Sequence, residues 1–348
     1  MSKHQYEYRK AMDSIHVSRE WEDDMIQKIL NAEKAQKKRI HRAHRLGLAA
    51  VAAAACLTIG AGAAEAATGI VSDIFAPLLG TAHTEIIDNI GYPVNASDSA
   101  GGVTVTADAV IGDNSSVCVI FSMTKDDGTP WTEVPDSRDL VFEDSTFDFS
   151  ITDAGDGALG AHGSSWFISD DPENRVIRFV EQCTIEDGMP SGHAKETLKN
   201  LCIWDEASQS TKTLVKGKWT LRFDLDFEDT SKQFPSGQAV EFLGEPAVIT
   251  ELMFSPISFS VTVEQNRTEY PLMDDKKYLD GTSEAMDQLD IVLNLKDGRE
   301  IDLGYWAGGS YGADEGKSVF TKSSMFNEVI PLEDMESVTV CGTEIPLR

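Results

Sequence analysis

Leu46 to Ala64 is a run of 19 residues without a charge, and no other feature constrains the fold as much. At about 1.5 Å per residue, a helix of that length spans close to the roughly 30 Å hydrocarbon core of a bilayer. Charge divides sharply around it. The first 45 residues hold 11 of the 30 Lys/Arg and 7 of the 58 Asp/Glu, which leaves 19 basic against 51 acidic side chains for the remainder. Basic residues stay on the cytoplasmic side of a span. The pattern therefore predicts a transmembrane helix over 46–68, with residues 1–45 inside the cell and the acidic bulk outside. Lys37, Lys38, Arg39, Arg42 and Arg45, in the collar just before the run, are the topology determinants.

Two other readings of the run carry less weight. Ala64-Glu65-Ala66 has the small-x-small pattern of a signal-peptidase site, but a secretory signal is not preceded by 45 polar residues. Ala supplies 9 of the 19 residues, as in a buried Ala-rich helix, yet such a helix needs no basic flank. The ladder Ala52, Cys56, Gly60 and Ala64 would permit close helix approach, although it arises easily in a segment half made of Ala. The net charge of −28 argues against nucleic acid as a partner, because phosphate would be repelled.

Residues 1–45 read as two short helices. Tyr8, Met12 and Ile15 recur at helical spacing, and Ser18 is a good N-cap for a second helix whose first turn carries Glu20, Glu22, Asp23 and Asp24. Trp21, Met25, Ile26, Ile29 and Leu30 then form an apolar face. So short a segment cannot build a core, so this face must meet a neighbouring helix, lipid or a partner protein.

Beyond the span, Ile70 to Leu79 is an apolar stretch suited to the membrane interface. The rest alternates with period two. Trp219, Leu221, Phe223, Leu225 and Phe227 face one way, with polar residues between them. Ile257 to Val263 and Leu289 to Leu295 repeat the pattern, and Asp297-Gly298 marks a hairpin turn. Val103, Val105 and Ala107 with Val117 to Phe121 give an early strand pair. The expected fold is mainly β: two extracytoplasmic immunoglobulin-like β-sandwich domains, 69–234 and 235–348, divided in the polar stretch Asp229 to Gln238.

Candidate chemistry fails at each motif. Gly308-Gly309-Ser310-Tyr311-Gly312 matches G-x-S-x-G, but the last histidine is His193, so the required acid-then-His order is impossible and a Gly-rich turn is the reading. His83, His162 and His193 lack metal-ligand spacing, and the acidic loop Asp153 to Gly157 and the pair Asp170-Asp171 lack calcium spacing. Tyr305, Trp306 and Tyr311 form an aromatic cluster better suited to a core or turn than to sugar stacking. No catalytic residue, metal or cofactor is expected. Cys118, Cys183, Cys202 and Cys341 allow three pairings, and free buried thiols are as consistent as bonds.

Three stretches resemble the single-pass membrane proteins of Gram-positive bacteria classed as domain-of-unknown-function family 4179. They are Ile15-His16-Val17-Ser18 with Met25, Ile29 and Leu30; Lys216 to Phe223 with its Gly-x-Trp strand; and Ile249 to Ile257 with Pro331 to Asp334 and Ser337 to Pro346. The resemblance implies an anti-sigma-factor-like regulator whose Trp21–Leu30 face binds a cytoplasmic sigma factor while the exterior senses an unknown ligand. Many anti-sigma proteins hold zinc in a His-Cys-Cys cluster, but residues 1–45 contain no Cys, so a thiolate zinc site is excluded there. The alternative is a cell-surface binding or envelope-structural protein with no cytoplasmic partner.

Overall fold

The computed structural model describes residues 70–134, 136–151, 161–169, 171, 173–185, 192–205, 210–266, 285–304, 308–314 and 316–348. The chain divides into two compact units, Met1–Gly62 and Ala63–Arg348, and every described residue belongs to the second. The predicted span and the segment before it lie outside the described residues.

The second unit is mainly β and antiparallel. After helices α1 (Ile70–Leu79) and α2 (Thr84–Ile90) come β1 (Gly91–Ala100), β2 (Val103–Gly112), β3 (Ser116–Lys125) and β4 (Leu140–Ile151). β5 (Ala161–Ile168), β6 (Val176–Ile185), β7 (Gly192–Asp205) and β8 (Ser210–Leu225) complete the first set. The order β1-β2-β3-β6-β5 forms one sheet and β4-β7-β8 another. Both share one core, in which Val105, Phe121 and Phe179 of the first sheet meet Phe142, Leu198, Trp219 and Leu221 of the second.

The second set comprises β9 (Lys232–Gln233), β10 (Ala239–Phe242), β11 (Glu245–Phe254), β12 (Ser258–Gln265), β13 (Ile291–Leu295) and β14 (Glu300–Asp302). It ends with β15 (Gly308–Asp314), β16 (Lys317–Met325), β17 (Met335–Val340) and β18 (Thr343–Pro346). Its sheets run β10-β11-β12-β16-β15, with β9 beside β11, and β14-β13-β17-β18. Phe254, Phe259, Val261, Leu293 and Val338 fill the core between them. Set β10–β13 and β15–β18 against β1–β8 and the strand orders coincide, β9 and β14 being additions. The second half repeats the topology of the first. β9 pairs with β11 and Phe234 joins the second core, so the second repeat starts at Lys232.

The alternating strands behave as their patterns require. Trp219, Leu221, Phe223 and Leu225 are buried while Arg222 and Asp224 between them are exposed. Asp297-Gly298 turns β13 into β14, with Gly298 at φ 87°, a conformation that glycine adopts without strain. Val117 to Phe121 is apolar throughout because both of its faces are covered. Val117, Val119 and Phe121 enter the first core, whereas Cys118 and Ile120 meet the helices.

Two expectations need correction. Ile70 to Leu79 does not reserve its apolar face for lipid: Val71, Phe75 and Leu79 are buried against sheet residues Ala109, Ile111 and Ile120. Helical periodicity defines a face but not what covers it. The Gly308 to Gly312 stretch is not a turn but strand β15, paired over its whole length with β16. Its glycines dilute the side-chain pattern that would have marked a strand.

Several polar groups are buried among the described residues. Lys322 on β16, 2% exposed, donates through Nζ to the carbonyls of Met286 (2.9 Å) and Leu289 (3.0 Å). Burial pulls its pKa down, against the pull of Asp287, Asp302 and Asp290. On β6, Glu181 stands opposite Val119 and faces the first core, and burial raises its pKa to about 7. Asp108 on β2 is raised to about 6 by burial, although Ser122 Oγ donates to it.

These two acids set a pH dependence. Carboxyls titrate near 4 in the unfolded chain, so above that pH the folded state retains the extra protons, and stability falls as pH rises from about 4.5 to about 7. Glu181→Gln should leave stability near pH 4 almost unchanged and raise it near pH 8 by on the order of 3 kcal/mol. Urea unfolding at the two pH values reads this directly. An equal shift at both would remove Glu181 from the account.

Candidate functional site

The two repeats and the helices that follow the predicted span meet at one junction. α1 ends at Gly80, whose φ of 77° and N–H bond to the Ala76 carbonyl (2.9 Å) close the last turn. α2 runs back against it. Asp88 of α2 accepts from the Ser72 N–H (2.9 Å) and from Ser72 Oγ (3.2 Å), which places a carboxylate at the positive end of α1. Gly91 then admits α1 close to the sheet, since a Cβ there would meet Ile111 Cγ2 at 2.5 Å and Val71 Cγ1 at 2.8 Å.

The helical hairpin touches both repeats. Val71, Phe75, Leu79, Ile87 and Ile90 share a buried cluster with Ala109, Ile111, Cys118, Ile120 and Val180 of the first repeat and with Ile257, Met325 and Val329 of the second. Any change in the angle between the repeats must therefore displace the hairpin.

A polar node holds that angle. In the β2–β3 turn, Asp113 Oδ1 accepts from the Ser115 and Ser116 N–H groups, both at 2.9 Å. In the β11–β12 turn, which is the topological counterpart, Ser255 Oγ accepts from the Ile257 (3.1 Å) and Ser258 (2.9 Å) N–H groups. The two turns then join. Ser255 Oγ and Ser258 Oγ both donate to Asp113 Oδ2 at 2.5 Å, with Asp113 only 1% exposed. Further contacts follow the same logic, with β5 beside β15 and β6 beside β16. Equivalent elements of the two repeats face one another, as in a two-fold symmetric interface.

Reading the sequence missed this node. Asp113-Asn114-Ser115-Ser116 and Ser255-Pro256-Ile257-Ser258 each signal a self-capping turn. Nothing in their 142-residue separation signals that they meet.

The other described candidates sit in structural settings. Cys118, Cys183, Cys202 and Cys341 are free thiols, and burial pushes the Cys118 and Cys183 pKa values up, Cys183 to about 11, away from reactive thiolate. Among the described residues no group of three or more His, Cys, Asp or Glu could hold a metal. His193 is exposed and pairs with Asp224. Asp171 spends its carboxylate on the Glu173, Arg175 and Val176 N–H groups, as a turn cap does. β15 places Ser310 within a strand, without the strand-turn-helix setting of a nucleophile elbow. Trp21, Met25, Ile26, Ile29 and Leu30, with Lys37, Lys38, Arg39, Arg42 and Arg45, lie outside the described residues, as do Tyr305, Trp306 and Asp153 to Gly157. No single described helix is long and apolar enough to cross a membrane. α1 and α2 pass that test only as a pair bent by 114°.

No family model and no curated protein matches the sequence. Among solved structures, the crystal structure of the conserved domain protein from Bacillus anthracis is similar, with a TM-score of 0.44 and 16% identity over 72% of this chain and 76% of that one.

Proposed function

We propose that the chain is a membrane-anchored, anti-sigma-factor-like regulator of a Gram-positive cell, resembling family 4179. Residues 46–68 span the membrane, the β-repeats lie outside, and the Trp21–Leu30 face binds a sigma factor inside. The observation that carries the reading is the charge layout: a basic collar, 19 uncharged residues, then 19 basic against 51 acidic side chains. The repeats fit such an exterior. Their order, β2-β3-β6-β5 over β4-β7-β8 and again β11-β12-β16-β15 over β13-β17-β18, supports reading each as an immunoglobulin-like sandwich with one extra N-terminal strand. On this reading the two external domains divide at Lys232, three residues before the expected 235, and the α1–α2 hairpin is the joint between span and sensor.

The test lies at the cytoplasmic face. Trp21, Met25 and Ile29 fall at i, i+4 and i+8, the spacing of one helix face, and losing a central aromatic anchor commonly costs about 2 kcal/mol or more. Trp21→Ala should therefore weaken sigma-factor binding roughly thirtyfold. A pull-down of sigma factors from the same cell, wild type beside variant, measures it. If the wild-type chain retains none, the cell-surface alternative without a cytoplasmic partner replaces this reading.

A further inference from the structure

A cleft of about 160 Å³ opens at the end of the second core, between β14, the end of β16 and the segment that follows it. Its floor is apolar. Phe259 and Phe326 stack with centroids 5.8 Å apart, and Ile301 and Ile330 complete the walls. That volume matches one benzene-sized group, since a cavity of about 150 Å³ binds benzene. The rim is acidic. Asp302 is exposed, and its Oδ1 accepts from the Gly304 N–H (2.8 Å). Glu328 holds Arg299 at 2.8 Å, but Arg299 is shared with Asp297, so two carboxylates share one guanidinium. Lys322 nearby is turned to backbone carbonyls.

We infer that this cleft binds a cationic peptide, taking one aromatic or branched aliphatic side chain on its floor and an adjacent basic group at Asp302. The surplus of acidic side chains after residue 45 concentrates such a partner at the surface. Occupancy also has a route to the anchor. Met325 and Phe326 are neighbours on the cleft wall, and Met325 and Val329 pack into the cluster that holds α1 and α2. A side chain seated on one face of the 325–330 segment thus steadies the face on which the hairpin rests. The inference deepens the proposed function by giving the chemistry of the external signal, and it rests on that reading only for the onward path into the cell.

The test uses the full chain in nanodiscs of uncharged phosphatidylcholine, with Lys-Phe-Lys amide as the probe and titration calorimetry as the readout. Lys-Ala-Lys and Glu-Phe-Glu should bind at least about tenfold more weakly, because each lacks one of the two recognised features. Asp302→Asn should weaken Lys-Phe-Lys about fivefold, as expected for a partly exposed charge contact. Ser324→Leu, which fills the cleft, should abolish binding. Saturating Lys-Phe-Lys should slow amide exchange in Ile70–Leu79. No heat at millimolar peptide, or equal affinity in wild type, Asp302→Asn and Ser324→Leu, overturns the site, and unchanged exchange in α1 overturns the coupling. None of these readings involves a sigma factor, so they can fail or hold independently of the pull-down.

Discussion

Trp219→Ala should cost the first repeat about 3–5 kcal/mol, a large part of the roughly 5–15 kcal/mol that stabilises an ordinary domain. The indole is fully buried, and its Nε1 donates to the Val103 carbonyl of the facing sheet at 2.9 Å. Its ring meets Phe142 edge-on at 6.1 Å. Truncation leaves a cavity and an unpaired buried carbonyl together, and neither neighbouring sheet can collapse into the gap without breaking register. Gly217 belongs to the same arrangement, because a Cβ there would press the indole at 3.0 Å and Ala100 Cβ at 3.1 Å. The Gly-x-Trp pairing is thus a packing motif. Trp219→Phe retains most of the apolar volume but loses the hydrogen bond, so it should cost about 1–2 kcal/mol. Amide exchange in β7 and β8 separates these values. Protection unchanged in Trp219→Ala would mean that the indole is not the keystone of that core.

Strands buried on one face were legible in the sequence, and the reason is geometric. Side chains alternate in a strand, so Trp219 to Leu225 and Leu289 to Leu295 announced their inner faces. β3 was legible for the opposite reason, because an unbroken apolar run means cover on both sides. β15 was not legible, since Gly308, Gly309 and Gly312 supply no side chains to alternate. α1 was legible as an apolar helix while its partner was not. The sheet residues it covers, such as Ile120, already read as ordinary strand core. Two similar β-domains were legible, but their common strand order was not, because two sheets can share a strand order while sharing only the need for apolar inner faces. The node at Asp113 was the least visible feature. Long-range polar contacts depend on where two turns arrive in space, and turn chemistry records only the local bond.

That node makes the second large expectation. Asp113→Ala should destabilise the junction by about 3–5 kcal/mol, because in a buried site it strands two backbone N–H groups of its own turn and takes the shared acceptor from two serine hydroxyls of the other repeat, which keep only each other at 3.3 Å. Asp113→Asn should cost less, about 1–2 kcal/mol. Its side-chain oxygen still caps the turn, and Ser258 Oγ can rotate to accept from its amide, whereas Ser255 Oγ already accepts two N–H groups and loses its acceptor. The two repeats should respond as units. Wild type is expected to unfold in one calorimetric transition, and Asp113→Ala in two, because the contacts that remain between the repeats are the apolar cluster around Ile257 and the approaches of β5 to β15 and β6 to β16. Combining Asp113→Ala with Ser255→Ala and Ser258→Ala tests the assignment further. If the carboxylate and hydroxyls act together, the combined loss falls short of the summed single losses by about 1–3 kcal/mol. Strict additivity would show that Asp113 serves only its own turn. The angle between the repeats, and with it the seat of the α1–α2 hairpin, would then rest on apolar packing alone.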